Sequence, residues 1–234
     1  MIRSAIRAAV AVLALPLAAC NVVVSQHPWF TAGADDPRLA PGLWVALQND
    51  ACTFDATRPL ASWPECAKPF FVRGRELLSP PEPDKEQPAR DAAVFADPAR
   101  WQSSTPVIVA GNPMVMELRA DVVQPASEPA PKFYLYLALQ PLAQAADGTL
   151  QALRIWPVFC GPPPPPSRQG ETQTLDQLGS SGVSKRLFPG LKRAKVGCEA
   201  SGADAIRKAA ALSEGVAAAN EMPPFKARWL RPAI

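Results

Sequence analysis

Proline sets the first limit on this fold: the chain carries 28 among 234 residues, more than twice the usual share of about 5%. Each proline fixes φ and has no N–H to give to a helix or a sheet ladder. A chain built this way consists of short elements joined by long ordered loops. Hydrophobic residues still make up 48%, normal for a globular chain with its own core.

Residues 1–20 divide into three zones. Arg3 and Arg7 give a basic start, Ala8 to Leu17 an apolar run, and Ala18 and Ala19 are small residues ahead of Cys20. This is the layout of a secretory signal peptide. The run falls short of the roughly 20 apolar residues that cross a bilayer, so a permanent spanning helix is not expected. Leu17-Ala18-Ala19-Cys20 resembles the lipobox of bacterial lipoproteins, in which the cysteine becomes the first residue after cleavage. The resemblance implies loss of residues 1–19, a diacylglyceryl group on the Cys20 sulfur and a further acyl chain, such as palmitate, on its amine. Two or more chains anchor stably, where one binds only marginally. In that family Asp after the cysteine commonly means the inner membrane. Asn21 stands here instead, which implies an outer membrane location facing the periplasm. Beyond this stretch the chain resembles uncharacterised lipoproteins of bacteria with Ala-, Pro- and Arg-rich proteomes.

Residues 20–41, with His27, Asp35, Asp36, Pro37 and Pro41, are expected to tether the lipid to a single β-rich domain at 42–234. Four cysteines remain within it: Cys52, Cys66, Cys160 and Cys198. In an oxidising compartment they should pair, and four allow three connectivities. Pairing of Cys52 with Cys66 and of Cys160 with Cys198 is expected, because each pair brackets one loop-rich stretch. The chain has no C-x-x-C and no histidine near these cysteines, which disfavours zinc and thioredoxin-like chemistry. No metal or cofactor is expected.

Strand signals run from Gly42 to Gln48, Lys68 to Gly74, Thr105 to Gly111, Met114 to Val123, Lys132 to Leu142 and Thr149 to Phe159. Asp147-Gly148 marks the turn of a hairpin between the last two. In "FYLYLALQ" apolar residues occupy both faces, so that strand should be covered on both sides. A faint echo links "LWVALQ" and "WPEC" to "LYLALQ" and "WPVFC", with Gln-to-Trp spacings of 15 and 16. Ser201 to Asp204 has the form of a capping box, and Ala205, Ala209, Leu212, Val216 and Ala219 form a helical stripe. The tail offers Phe225, Trp229 and Leu230 for docking. Together these predict an α+β fold, a curved antiparallel sheet of about six strands, part of a barrel, with a C-terminal helix and two disulfides. "SPPEPDKEQP" from Ser79 and "GPPPPPSRQG" from Gly161 read as exposed loops.

Candidates for chemistry are few. The single histidine, His27, lies in the expected tether, away from any scaffold that could position it as a base. Asp50 and Asp55 flank Cys52, and a carboxylate-dependent hydrolase would need both in one cleft. Lys185, Arg186, Lys192, Arg193 and Lys195 form a basic cluster suited to anionic lipid, lipopolysaccharide phosphates or peptidoglycan carboxylates. The formal net charge of +3 carries no field that would attract nucleic acid. Gly42-x-Trp44 resembles the G-x-W motif of lipocalins, which implies a barrel that carries a small molecule or lipid. The expected function is therefore a non-catalytic, membrane-anchored envelope lipoprotein that binds a protein or polymer of the envelope. A lipocalin-like carrier with a cavity beside Trp44 and Tyr136 is the alternative, followed by the hydrolase.

Overall fold

A computed structural model describes residues 21–80, 96–101, 103–121, 132–162, 184, 186–194, 197–219 and 224–232. Cys20, Lys185 and Lys195, most of the charged proline-rich insertion, and the polyproline run after Pro162 lie outside the described residues.

Eight antiparallel strands close on themselves. They are β2 (Gly42–Leu47), β3 (Ala67–Arg73), β4 (Glu76–Ser79), β5 (Ser103–Ala110), β6 (Met114–Asp121), β7 (Lys132–Gln144), β8 (Leu150–Pro157) and β11 (Phe225–Arg231). A short β1 (Val24–Ser25) adds to the outer half of β7. A separate ribbon joins β9 (Leu191–Arg193) to β10 (Cys198–Ala200), and one long helix, α1, spans Ala203–Ala219. The fold is thus mostly β with one helix, but the part-barrel of about six strands is corrected to a closed barrel of eight. The two strands missed are β4 and β11. Closure depends on β11, which pairs with β2 on one side and β8 on the other. It satisfies the two backbone edges that an open sheet would leave bare.

Side chains alternate across this wall except at register shifts in β7 and β11. Trp44 faces Phe70, Val107 faces Leu118 and Leu139 faces Ile155, all inward. Eight strands leave an interior just wide enough for side chains to fill. Trp44 is fully buried, stacked on Phe70 at 5.7 Å, and donates from its indole Nε1 to the Ala40 carbonyl at 2.7 Å. Outside, the wall is covered twice. Leu60, Trp63 and Trp101 cover Leu43, Phe71 and Leu78 on one flank. α1 covers Ala138, Trp156 and Val158 on the other. β7 is accordingly apolar on both faces, as its sequence requires.

Residues 21–41 are not a tether. Val23, Val24, Ser25 and Phe30 are buried on the outer wall, and Leu39 and Ala40 join the interior cluster. The Arg75 guanidinium donates to the Gly33 carbonyl at 2.9 Å, and Leu150 N–H to the Arg38 carbonyl at 2.7 Å. The segment therefore straps the barrel from its side to its base. The C-terminal tail, expected to dock, is β11 itself. The helix also buries a neighbouring face: Ile206, Ala209, Ala210, Ser213 and Ala217 are covered, while Leu212 is about half exposed (49%). The Trp-Pro echo is no structural repeat, since Trp63 precedes β3 in a loop and Trp156 lies within β8.

Gly42 stands where β2 meets the end of β11. Its φ of +124° suits only glycine, and an added Cβ would strike the Arg231 carbonyl oxygen. Gly42→Ala is therefore expected to cost about 2 kcal/mol and to loosen the β2–β11 seam. The check is urea unfolding with amide exchange at Leu43 and Arg231, and an unchanged midpoint would contradict the seam.

Candidate functional site

The strap begins at Asn21, a polar side chain with only 6% of its surface exposed. Its Oδ1 accepts the Ser184 N–H at 2.9 Å, its Nδ2 donates to the Gly161 carbonyl at 3.3 Å, and its own carbonyl accepts the Cys160 N–H at 2.8 Å. The next two residues continue the grip. Val22 O accepts from Cys198 N–H at 3.3 Å, and Val23 N–H donates to Val158 at 2.8 Å. The Cys160–Cys198 bridge ties together the two segments that hold the strap. Two glycines make room: a Cβ at Gly161 would collide with the Arg186 carbonyl, and one at Gly197 with the Val22 carbonyl.

The basic cluster attaches to this same seat. The Ser184 hydroxyl donates to the Arg186 carbonyl at 2.8 Å, and Arg193 Nη2 donates to the Ser184 carbonyl at 3.1 Å. Lys192 pairs with Glu199 at 3.4 Å across the β9–β10 ribbon. The side chains of Arg186, Lys192 and Arg193 are exposed. The sequence identified the cluster but not its neighbour, because Asn21 and Ser184 lie 163 residues apart.

Further along, the strap meets a buried carboxylate that sequence reading passed over. Glu117 on β6 is 3% exposed, and its Oε2 accepts the N–H of Trp29 at 2.8 Å and of Phe30 at 3.3 Å. Tyr136, opposite it on β7, shares a 2.6 Å contact with the Ser25 hydroxyl. Ser25 in turn donates to the His27 carbonyl. Burial pushes the Glu117 carboxyl above its ordinary value, against the lowering effect of the bonds from the Trp29 and Phe30 N–H groups. Burial also pushes the Tyr136 hydroxyl far up, so it remains protonated. The available signal was a Glu set between Met116 and Leu118 within a strand.

The other candidates disperse. Asp50 pairs with Lys226 at 2.8 Å, while Asp55 caps its own turn through Thr57, N–H at 2.9 Å and hydroxyl at 2.6 Å. These bonds, chiefly that from the Thr57 hydroxyl, hold the Asp55 carboxyl below its ordinary value. Both acids are exposed and engaged with separate partners. His27 is exposed. Trp44 faces the interior and Tyr136 the outer wall, so the two cannot border one cavity. Cys52 and Cys66 form the second expected bridge. Among the described residues no group of three or more His, Cys, Asp or Glu could hold a metal ion, and no helix is long and apolar enough to cross a membrane.

Comparison with known proteins gives no match: no family model, no curated protein and no solved structure aligns with this chain.

Proposed function

We propose that this chain is an envelope lipoprotein, anchored through Cys20 in the outer membrane, facing the periplasm, and acting by binding an envelope component without catalysis. One observation carries the reading. The two bridges consume four of the five cysteines and leave Cys20 as the thiol available for acylation. Bridged cysteines suit an oxidising compartment, and the strap begins one residue after the expected cleavage point. Cys20→Ser is expected to move the protein from the membrane fraction to soluble periplasm or to leave it unprocessed. Fractionation with mass analysis of the N-terminal peptide reads this. A Cys20→Ser chain still processed and still membrane-bound would refute it.

The closed eight-stranded wall favours a second reading, lipocalin-like carriage. A ligand would then have to displace side chains packed about Trp44, which borders no water-sized space. Titration with an apolar fluorophore tests this, since carriage requires saturable binding that quenches the buried indole.

A further inference from the structure

We infer that the partner of the basic seat is the leaflet that holds the lipid: Arg186, Lys192 and Arg193 rest on anionic phospholipid headgroups, and the barrel is mounted on the bilayer in one orientation. The inference rests on Cys20 being the lipidated residue. With residues 21–41 as a flexible tether, an anchored domain would wander over many ångströms and no face of it would be favoured. The strap removes that freedom. Cys20 is joined directly to Asn21 by one peptide bond. Asn21 is fastened to Cys160, Gly161 and Ser184. A glyceryl thioether on Cys20 thus draws the Asn21 seat down to headgroup depth.

The basic residues go with it. One hydrogen bond links Asn21 to Ser184, and a second links Ser184 to Arg193, while the Ser184 hydroxyl holds Arg186. Exposed charges act over about 8 Å at physiological ionic strength, a reach on the scale of two such contacts. Anionic lipid attracts basic residues beside a membrane anchor. Glu199 offsets part of the charge on Lys192, which leaves the two arginines as the main attraction. The whole chain has a formal charge of only +3, so the attraction is local to this seat and selects a face. The Cys160–Cys198 bridge keeps seat and strap together, so the orientation set there passes to the whole barrel.

The test uses the mature lipidated chain extracted from cells and reconstituted on phosphatidylcholine vesicles with and without phosphatidylglycerol. Amide hydrogen exchange of residues 186–194 is compared with that of the Cys52–Cys66 loop, and the mass of the N-terminal peptide is read on the same sample. The expected result is an acylated Cys20 with exchange at 186–194 several-fold slower only on phosphatidylglycerol vesicles. The variant Arg186→Glu, changing one exposed side chain, should stay membrane-bound with unchanged thermal unfolding and lose most of the slowing. An acylated chain whose 186–194 amides exchange equally on both vesicles, or whose slowing falls on the 52–66 loop, overturns the mounted orientation alone. An unmodified Cys20 overturns the lipoprotein reading and this inference with it.

Discussion

Removing the Cys160–Cys198 bridge, by Cys160→Ser with Cys198→Ser, is expected to cost about 4 kcal/mol on the chain-entropy model for a sequence separation of 38 residues. Against a total stability of about 5–15 kcal/mol, that is a large share. Both sulfurs belong to fully buried residues at the strap seat. Serine there adds two hydroxyls in an apolar cluster that includes Val23, Phe159 and Ile206. The loss should also be visible locally, as faster exchange at position 198 and at Val23, whose N–H groups donate to the Val22 and Val158 carbonyls. The Cys52–Cys66 bridge is the control. It closes a separation of 14 residues between partly exposed cysteines, so its entropic share is about 3 kcal/mol with little burial behind it. Urea unfolding of the two double variants checks the order. A smaller loss for the 160–198 pair than for the 52–66 pair would contradict the assignment of the first as keystone of the seat.

Glu117→Ala is expected to be nearly as severe, at about 4 kcal/mol, because it strips the acceptor from the Trp29 and Phe30 N–H groups beneath the strap. Each orphaned buried group costs about 1–3 kcal/mol. Glu117→Gln keeps an accepting oxygen and should lose far less. The pH dependence separates this role from simple packing. The folded state raises the Glu117 pKa through burial, so the native chain binds this proton more tightly than the unfolded one. Its stability contribution is then fully present below the ordinary carboxyl value of 4.5. It is lost as pH rises through the raised folded value. Burying the ionised carboxylate is costly, yet losing the acceptor costs more. Equilibrium unfolding in steps from acid to neutral pH should show a fall in the native protein that the Glu117→Gln chain lacks. Equal pH profiles for the two would remove Glu117 from the account.

The strap explains why part of this site was illegible. His27, Asp35, Asp36 and three prolines give residues 20–41 the composition of a linker, which outweighed the short apolar runs Val22–Val24 and Trp29–Phe30. The partners that order the segment are Gly161 and Ser184, 140 and 163 residues away, and Glu117, 88 residues from Trp29. β11 is a different kind of omission. Phe225, Ala227 and Trp229 alternate with Lys226 and Arg228, a period of two that marks a strand with one face inward. That signal was present in the tail and passed over. The helix stripe shows a third case. A 4-3 spacing fits Ala205, Ala209 and Val216 equally well with Leu212 in or out, and contact with the wall decided that Leu212 stays at the surface.

By itself the sequence determined the local features of this protein: which cysteines bracket which loops, where the Asp147-Gly148 turn falls, that α1 is rich in small residues, and that β7 must be covered on both faces. These follow from chemistry carried within a few residues, from φ preference, side-chain size and the alternation of a pleated strand. Only the tertiary structure decided that the sheet closes, that residues 21–41 are bound to it, and that the basic cluster and Asn21 share one seat. Closure and strapping depend on which distant edges and buried polar groups satisfy one another, and that choice is made by the folded surfaces together.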